Sequence, residues 1–220
     1  MQQLILIRHG QASFGKENYD ELSALGERQA QAVGQALRRS GIIPARAYSG
    51  DMVRQKHTAE LALDAAGVAV ELDMDKAFNE YDSTNLFAHF LPRVLDSFPE
   101  IQSKITPTDY SALKDPQVFR ALFYPVMHKW MNAEHPEDAV LEPWEDFRSR
   151  VVSGIDSVAG DLSAGETAVV FTSGGVIAVT LAYVLGMEWR RSVDFNWRTA
   201  NGSITRFSVN ERGMFLDGYN

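Results

Sequence analysis

Leu4-Ile5-Leu6-Ile7-Arg8-His9-Gly10 is the stretch on which the fold turns. Four apolar residues followed at once by a cationic pair and a glycine read as a short buried strand that stops at a tight turn. Working outward, Ser23 to Ser40 has Leu25, Val33, Ala36 and Leu37 close to helical spacing, with Ser23 as N-cap and Gly41 as stop. Ala45 to Ser49 is a second short strand, Met52 to Ala66 a second helix closed by Gly67, and Val68 to Leu72 a third strand. This alternation predicts an α/β fold, a three-layer sandwich whose mostly parallel central sheet is flanked by helices.

The alternation breaks between Leu86 and Pro143. That stretch holds Pro92, Pro99, Pro107, Pro116, Pro125 and Pro136, six of the chain's 8 prolines, and is rich in Phe and Trp. It reads as a helical insertion, about residues 85–143, forming a cap over the site of a single domain spanning 1–220. Regularity returns with a helix from Trp144 to Leu162, a strand from Thr167 to Thr172, and Ser173-Gly174-Gly175 before an apolar helix from Val176 to Leu185. Gly202 to Val209 and Gly213 to Leu216 read as a closing hairpin.

The chain has 220 residues, enough for one domain of ordinary size, and 45% of them are apolar, enough for a real core. It contains no cysteine, which removes disulfides, thiolate metal sites and cysteine nucleophiles together and suits a reducing cytosol. The formal charge of −8 argues against nucleic acid and anionic membrane as partners. Met1 to Ile7 is too short and too soon followed by charge for a signal peptide, and no apolar run is long enough to span a bilayer. The expectation is a cytoplasmic protein, with a homodimer as an allowed assembly.

Arg8-His9-Gly10 carries the strongest chemical signal. In open α/β sheets ligands sit beyond the carboxyl ends of the strands. A histidine there can attack an electrophile through one ring nitrogen if a carbonyl holds the other. The neighbouring guanidinium matches phosphate oxygens, and Gly10 lets the backbone turn closely. Taken alone the tripeptide reads more readily as a plain strand end. Ser49-Gly50-Asp51-Met52-Val53-Arg54 adds to it, because an arginine in the first turn of a helix opposes the helix dipole unless an anion is bound there.

Placed in order, these segments resemble the histidine phosphatase (phosphoglycerate mutase-like) superfamily. Leu4 to Gly10 resembles its signature strand and turn. Leu22-Ser23-Ala24-Leu25-Gly26 with Gln29-Ala30 resembles its L-[ST]-x-x-G-x-x-Q-A helix. Ser49 to Ala59 resembles S-[SP]-x-x-R-[AT]-x-[QH]-T-A. Phe78-Asn79-Glu80 resembles the stretch with the family's acidic residue, Val169 to Val176 its V-V-[ST]-H-G-G strand and turn, and Asn201 to Phe207 its closing strand. The resemblance implies that His9 is the nucleophile, forming a phosphohistidine. It implies that Arg8 and Arg54 clamp the phosphoryl oxygens, with Ser173 and Gly174 also at the phosphate. Glu80 would protonate the leaving oxygen and then activate water; Asp82, close by, is the alternative. No metal and no cofactor are called for.

The chain departs from that pattern at Ser173, where the family places a second histidine that donates to the phosphoryl group. Losing such a donor typically costs on the order of 3 kcal/mol. His57, three residues after Arg54, is an auxiliary candidate to replace it; His89, His128 and His135 lie in the insertion. Gly15 stands where many members carry an asparagine, which leaves the substrate unassigned. Three readings follow: a metal-independent phosphatase acting on a small phosphomonoester with reduced activity, an impaired relative that binds phosphorylated ligands, and, third, a phosphomutase.

Overall fold

A computed structural model of the chain describes residues 2–13, 20–105, 111–133 and 141–220, so Gly15 and His135 lie outside the described residues. The chain divides into two compact units, Met1–Glu80 with Ser149–Asn220, and Tyr81–Arg148.

The first unit is built on a six-stranded sheet in the order β3-β2-β4-β1-β5-β6. Its strands are β1 (Gln2–Arg8), β2 (Arg46–Ser49), β3 (Leu72–Met74), β4 (Thr167–Thr172), β5 (Ile204–Asn210) and β6 (Gly213–Gly218). β1, β4, β2 and β3 run parallel, while β5 lies antiparallel to β1 and β6 to β5. The apolar run of β1 sits near the middle of this sheet, and Leu4, Ile5, Leu6 and Ile7 are all fully buried, as a strand covered on both faces requires.

The faces alternate along the strand. Ile5 and Ile7 of β1, with Val169 and Phe171 of β4, pack against α1 (Ala24–Arg39) and α2 (Val53–Ala66) through Val33, Leu37, Ala59 and Ala62. Leu4, Leu6, Ala168 and Val170 point the other way and are equally buried. α7 (Gly174–Val184) is apolar around its whole circumference and buried from Gly174 to Ala182, the signature of a helix enclosed on all sides. Ser23 caps α1 by accepting from the Gly26 amide, and Gly67 closes α2 in the left-handed conformation, as the sequence signals.

Three expectations shift. The third strand is Leu72–Met74, not Val68–Leu72. Val68 and Val70 pack against the core, but sheet pairing begins only at Ala47↔Leu72. α7 begins at Gly174 rather than Val176, so both glycines lie inside its first turn. A short helix, α8 (Ser192–Arg198), was not foreseen.

The described residues of the second unit are helix and turn: α3 (Ser83–Leu95), α4 (Pro99–Gln102) and α5 (Pro116–Met131), followed by the start of α6 (Trp144–Gly160). Aromatic pairs form its core. Phe87 stacks on Phe119 at 5.0 Å between ring centroids, and Tyr81 leans on Trp130 at 4.9 Å. The Trp130 indole donates to the Glu142 carbonyl at 2.9 Å, which satisfies its one polar atom.

Candidate active site

The carboxyl ends of β2, β4 and β1, three neighbouring strands, supply the candidate residues. Parallel pairing sets Arg8 opposite Thr172, and the His9 amide continues it by donating to the Thr172 carbonyl at 2.9 Å. His9 and Ser173 therefore each leave the sheet one residue beyond a paired position, on adjacent strands about 4.8 Å apart.

His9 is nearly enclosed, at 6% exposure. Its Nδ1 lies 2.7 Å from the Gly10 carbonyl oxygen. A carbonyl can only accept, so Nδ1 carries the proton and Nε2 keeps its lone pair. Arg54 Nε donates to that Nε2 at 3.2 Å. Burial, then the guanidinium of Arg54 and then that of Arg8, hold the imidazole well below its ordinary pKa, while the bond to Gly10 opposes them. His9 is thus a neutral imidazole with a fixed tautomer, the form a nucleophile needs.

The turn after β1 is fixed from several sides. The Gly10 amide donates to Thr58 Oγ1 at 3.0 Å, and Thr58 donates to the Arg54 carbonyl at 2.7 Å, tying the turn to α2. A Cβ on Gly10 would lie 2.2 Å from the Gly26 carbonyl oxygen, so only glycine lets the turn rest on the first turn of α1. Asn201 Nδ2 donates to the His9 carbonyl at 3.1 Å.

Arg54 is buried, not a solvated surface arginine. Its Nη1 meets Asp20 Oδ1 at 2.7 Å, and Asp20 Oδ2 accepts from the Val53 amide at 2.9 Å. The formal N-cap of α2, Met52, contributes no side-chain bond, so Asp20 caps the helix from a distance and orients Arg54 at once. Arg8 donates through Nη1 to the Thr199 carbonyl. A Cβ on Gly174 would lie 3.4 Å from Arg8 Cζ and 2.7 Å from Asn196 Oδ1, which explains a glycine in the first turn of α7 despite its low helix propensity.

Glu80 Oε2 accepts from the Gly175 amide at 2.9 Å, which brings the carboxylate to the start of α7. The loop that carries it is held by its carbonyls. Arg150 Nη1 donates to those of Lys76, Ala77 and Asn79 at 3.0, 3.0 and 2.9 Å. The carbonyl of Phe78 between them accepts from Thr172 Oγ1 at 2.7 Å and from Gln55 Nε2 at 3.0 Å.

His9, Arg8, Arg54, Glu80, Ser173 and Gly174 thus lie on one network of contacts at these strand ends. Asp82 belongs to the second unit, where it caps α3 by accepting from the Asn85 amide at 3.0 Å. His57 is turned about 200° around α2 from Gln55, and Gln55 makes the contact with Ser173, Nε2 to Oγ at 2.8 Å. Asp20, Gln55, Thr172, Arg150 and Asn201 were missed. Each acts across at least 23 residues of sequence, and no motif assigns any of them a role in the site. Among the described residues no group of three or more His, Asp or Glu side chains stands together to hold a metal ion, and no helix is long and apolar enough to cross a membrane.

The family model of the histidine phosphatase superfamily (branch 1) matches residues 4–111 and 109–220. The chain belongs to the histidine phosphatase superfamily. Within it, a 2,3-bisphosphoglycerate-dependent phosphoglycerate mutase of Rhizobium etli is 37% identical over 90 residues, 38% of this chain and 43% of the mutase. The corresponding enzyme of Novosphingobium aromaticivorans is 38% identical over 87 residues, 36% of this chain and 38% of that protein. The matched stretches thus span less than half the length of these curated relatives. Among solved structures, a mycobacterial glucosyl-3-phosphoglycerate phosphatase aligns with a TM-score of 0.67 at 20% identity, covering 100% of this chain and 99% of that one. The α-ribazole phosphatase of Shigella flexneri gives 0.64 at 20% identity, covering 99% and 96%. At such identities the likeness establishes the histidine phosphatase fold.

Proposed function

We propose that this chain is a metal-independent phosphatase that hydrolyses a small phosphomonoester through a phosphohistidine on His9. The observation that carries this reading is the state of His9: a neutral ring whose Nδ1 is committed to the Gly10 carbonyl and whose Nε2 faces Arg54.

His9 Nε2 attacks phosphorus, the P–N bond forms and the P–O bond to the leaving group breaks. Arg54, which in the free site donates to Nε2, passes that donor to a phosphoryl oxygen as the substrate enters, and Arg8 takes another. Glu80 supplies the proton to the leaving oxygen. Water then attacks phosphorus, Glu80 takes the water's proton, the P–N bond breaks, and neutral His9 is restored with inorganic phosphate released. Every step keeps the negative charge beside guanidiniums or the amides at the start of α7.

The test is turnover of an aryl phosphate and a set of phosphorylated metabolites by the wild type and by His9→Ala, in the presence of chelator. Turnover that survives chelator and falls by more than about a thousandfold in the variant supports the reading. Turnover within tenfold of wild type in His9→Ala contradicts it. Phosphate transfer that requires a phosphorylated primer would make the chain a mutase, and tight phosphate binding without turnover an impaired binder.

A further inference from the structure

Gln55 and Ser173 are both fully buried, and Gln55 Nε2 spends its two hydrogens on Ser173 Oγ, at 2.8 Å, and on the Phe78 carbonyl, at 3.0 Å. Among the described residues the Gln55 Oε1 has no hydrogen-bond partner. It lies against Gly50, where a Cβ would come within 2.0 Å of it. A long amide thus reaches from α2 into a space bounded by a residue without a side chain and a residue with a short one. A buried amide oxygen left without a donor is costly, so packing convenience alone does not account for a glutamine here.

All three positions are where the chain leaves the motifs it otherwise follows. Counted back from Arg54, the pattern S-[SP]-x-x-R-[AT]-x-[QH]-T-A has Ser at Gly50, and it has Ala or Thr at Gln55, while V-V-[ST]-H-G-G has histidine at Ser173. Two positions have become smaller and the one between them larger. The Gln55 side chain occupies the space that opens between them.

We propose that Gln55 and Ser173 form one exchanged unit that replaces a single histidine beside the phosphoryl site. Ser173 accepts from the Gln55 amide, which leaves its own hydroxyl proton to be donated, and its strand-end position beside His9 directs that donor to the phosphoryl group. Gln55 is the positioning residue of the pair; it also holds the Phe78 carbonyl, so the same amide couples the donor to the loop that carries Glu80. The unit is neutral at every pH, whereas a histidine would gain and lose charge near its ordinary pKa of about 6.5. The donor function rests on the phosphatase reading above; the packing exchange does not.

A double-mutant cycle tests both parts: wild type, Ser173→His, Gln55→Ala, and Gln55→Ala with Ser173→His, read by thermal midpoint and by the pH profile of aryl phosphate turnover. Gln55→Thr replaces Gln55→Ala in a parallel series, in case the alanine leaves too large a cavity. With Gln55 in place, Ser173→His has no room and loses midpoint and at least about tenfold in kcat. The double variant recovers midpoint relative to Ser173→His, turns over faster than either single variant, and acquires a pH dependence from the new imidazole that the wild type lacks. Additive midpoints in both series overturn the exchange, whatever the turnover. Coupled midpoints with no new pH dependence in the active double variant overturn the donor role. Coupled midpoints with no turnover in any protein, wild type included, overturn the phosphatase reading and leave the packing exchange standing.

Discussion

Replacing Arg150 by methionine should separate the two jobs of the loop before Glu80. The methionine keeps much of the apolar stem and removes the guanidinium. One nitrogen of Arg150 now serves three carbonyls, those of Lys76, Ala77 and Asn79, at 3.0, 3.0 and 2.9 Å. That nitrogen has two hydrogens, so the three contacts amount to about two bonds. A hydrogen bond to a charged group contributes about 1.5–3 kcal/mol, but Arg150 is only half-buried and water can reach the freed carbonyls. The expected loss is about 2 kcal/mol, or a midpoint lower by about 4–8 °C for a chain of this size. Phe78 between them stays held through its carbonyl by Gln55 and Thr172, so the loop loosens at its ends without detaching. The end that matters carries Glu80. An alkyl phosphate, whose leaving oxygen needs a proton, should slow by about tenfold, and an aryl phosphate with an acidic phenol by no more than about threefold. Calorimetry and steady-state turnover of both substrates measure this. A midpoint within 1 °C of wild type, or equal slowing of the two substrates (~tenfold each), would refute the reasoning that Arg150 fixes the general acid.

Further outcomes follow from the same geometry. Glu80→Gln should slow the alkyl phosphate more than the aryl one, and a larger effect of Asp82→Asn would move the acid role to a residue that caps α3. Asp20→Ala removes an acceptor for the Val53 amide and Arg54 Nη1, so the midpoint should fall by the equivalent of about 1–2 kcal/mol, and inorganic phosphate should restore more of it than it adds to wild type. No difference in the phosphate response would mean that the carboxylate does not occupy an anion's place. His9, held neutral when folded, makes the unfolded chain the better proton binder below about pH 6.5. Stability should therefore fall as pH drops through the window between that value and the lower folded one, by at most about 1.4 kcal/mol per pH unit, and be unaffected above it. Subtracting the His9→Asn curve isolates this slope, and identical curves would contradict a depressed His9.

The parts of the fold that were legible are those whose local signal and tertiary role coincide. β1 is a four-residue apolar core run at a charged turn, and α1 is an amphipathic helix with a side-chain cap. β3 misled because Val68 and Val70 are apolar for packing against the core, while the three residues that pair with β2 include Asp73. Gly174 and Gly175 read as a turn on propensity, yet a close approach to Arg8 and Asn196 requires the glycine at 174, and the helix starts there. The seven residues of α8 are too few to show a period. In the site, His9, Arg8, Arg54 and Glu80 could be named because each falls in a motif. Asp20, Gln55 and Arg150 could not, because their partners are set by which strand ends the topology brings together. Of these Gln55 was the most accessible: it stands where the motif has Ala or Thr, a departure that gains meaning only beside Ser173.

Phosphorus NMR of the trapped enzyme bears most directly on the account. Wild type quenched during turnover of an aryl phosphate should carry an acid-labile phosphoryl group on His9, attached at Nε2, because Nδ1 is held by the Gly10 carbonyl at 2.7 Å; His9→Ala should carry none. A phosphoryl group on Nδ1 or on any other residue, or multiple turnover with no phosphoenzyme at all, would contradict it.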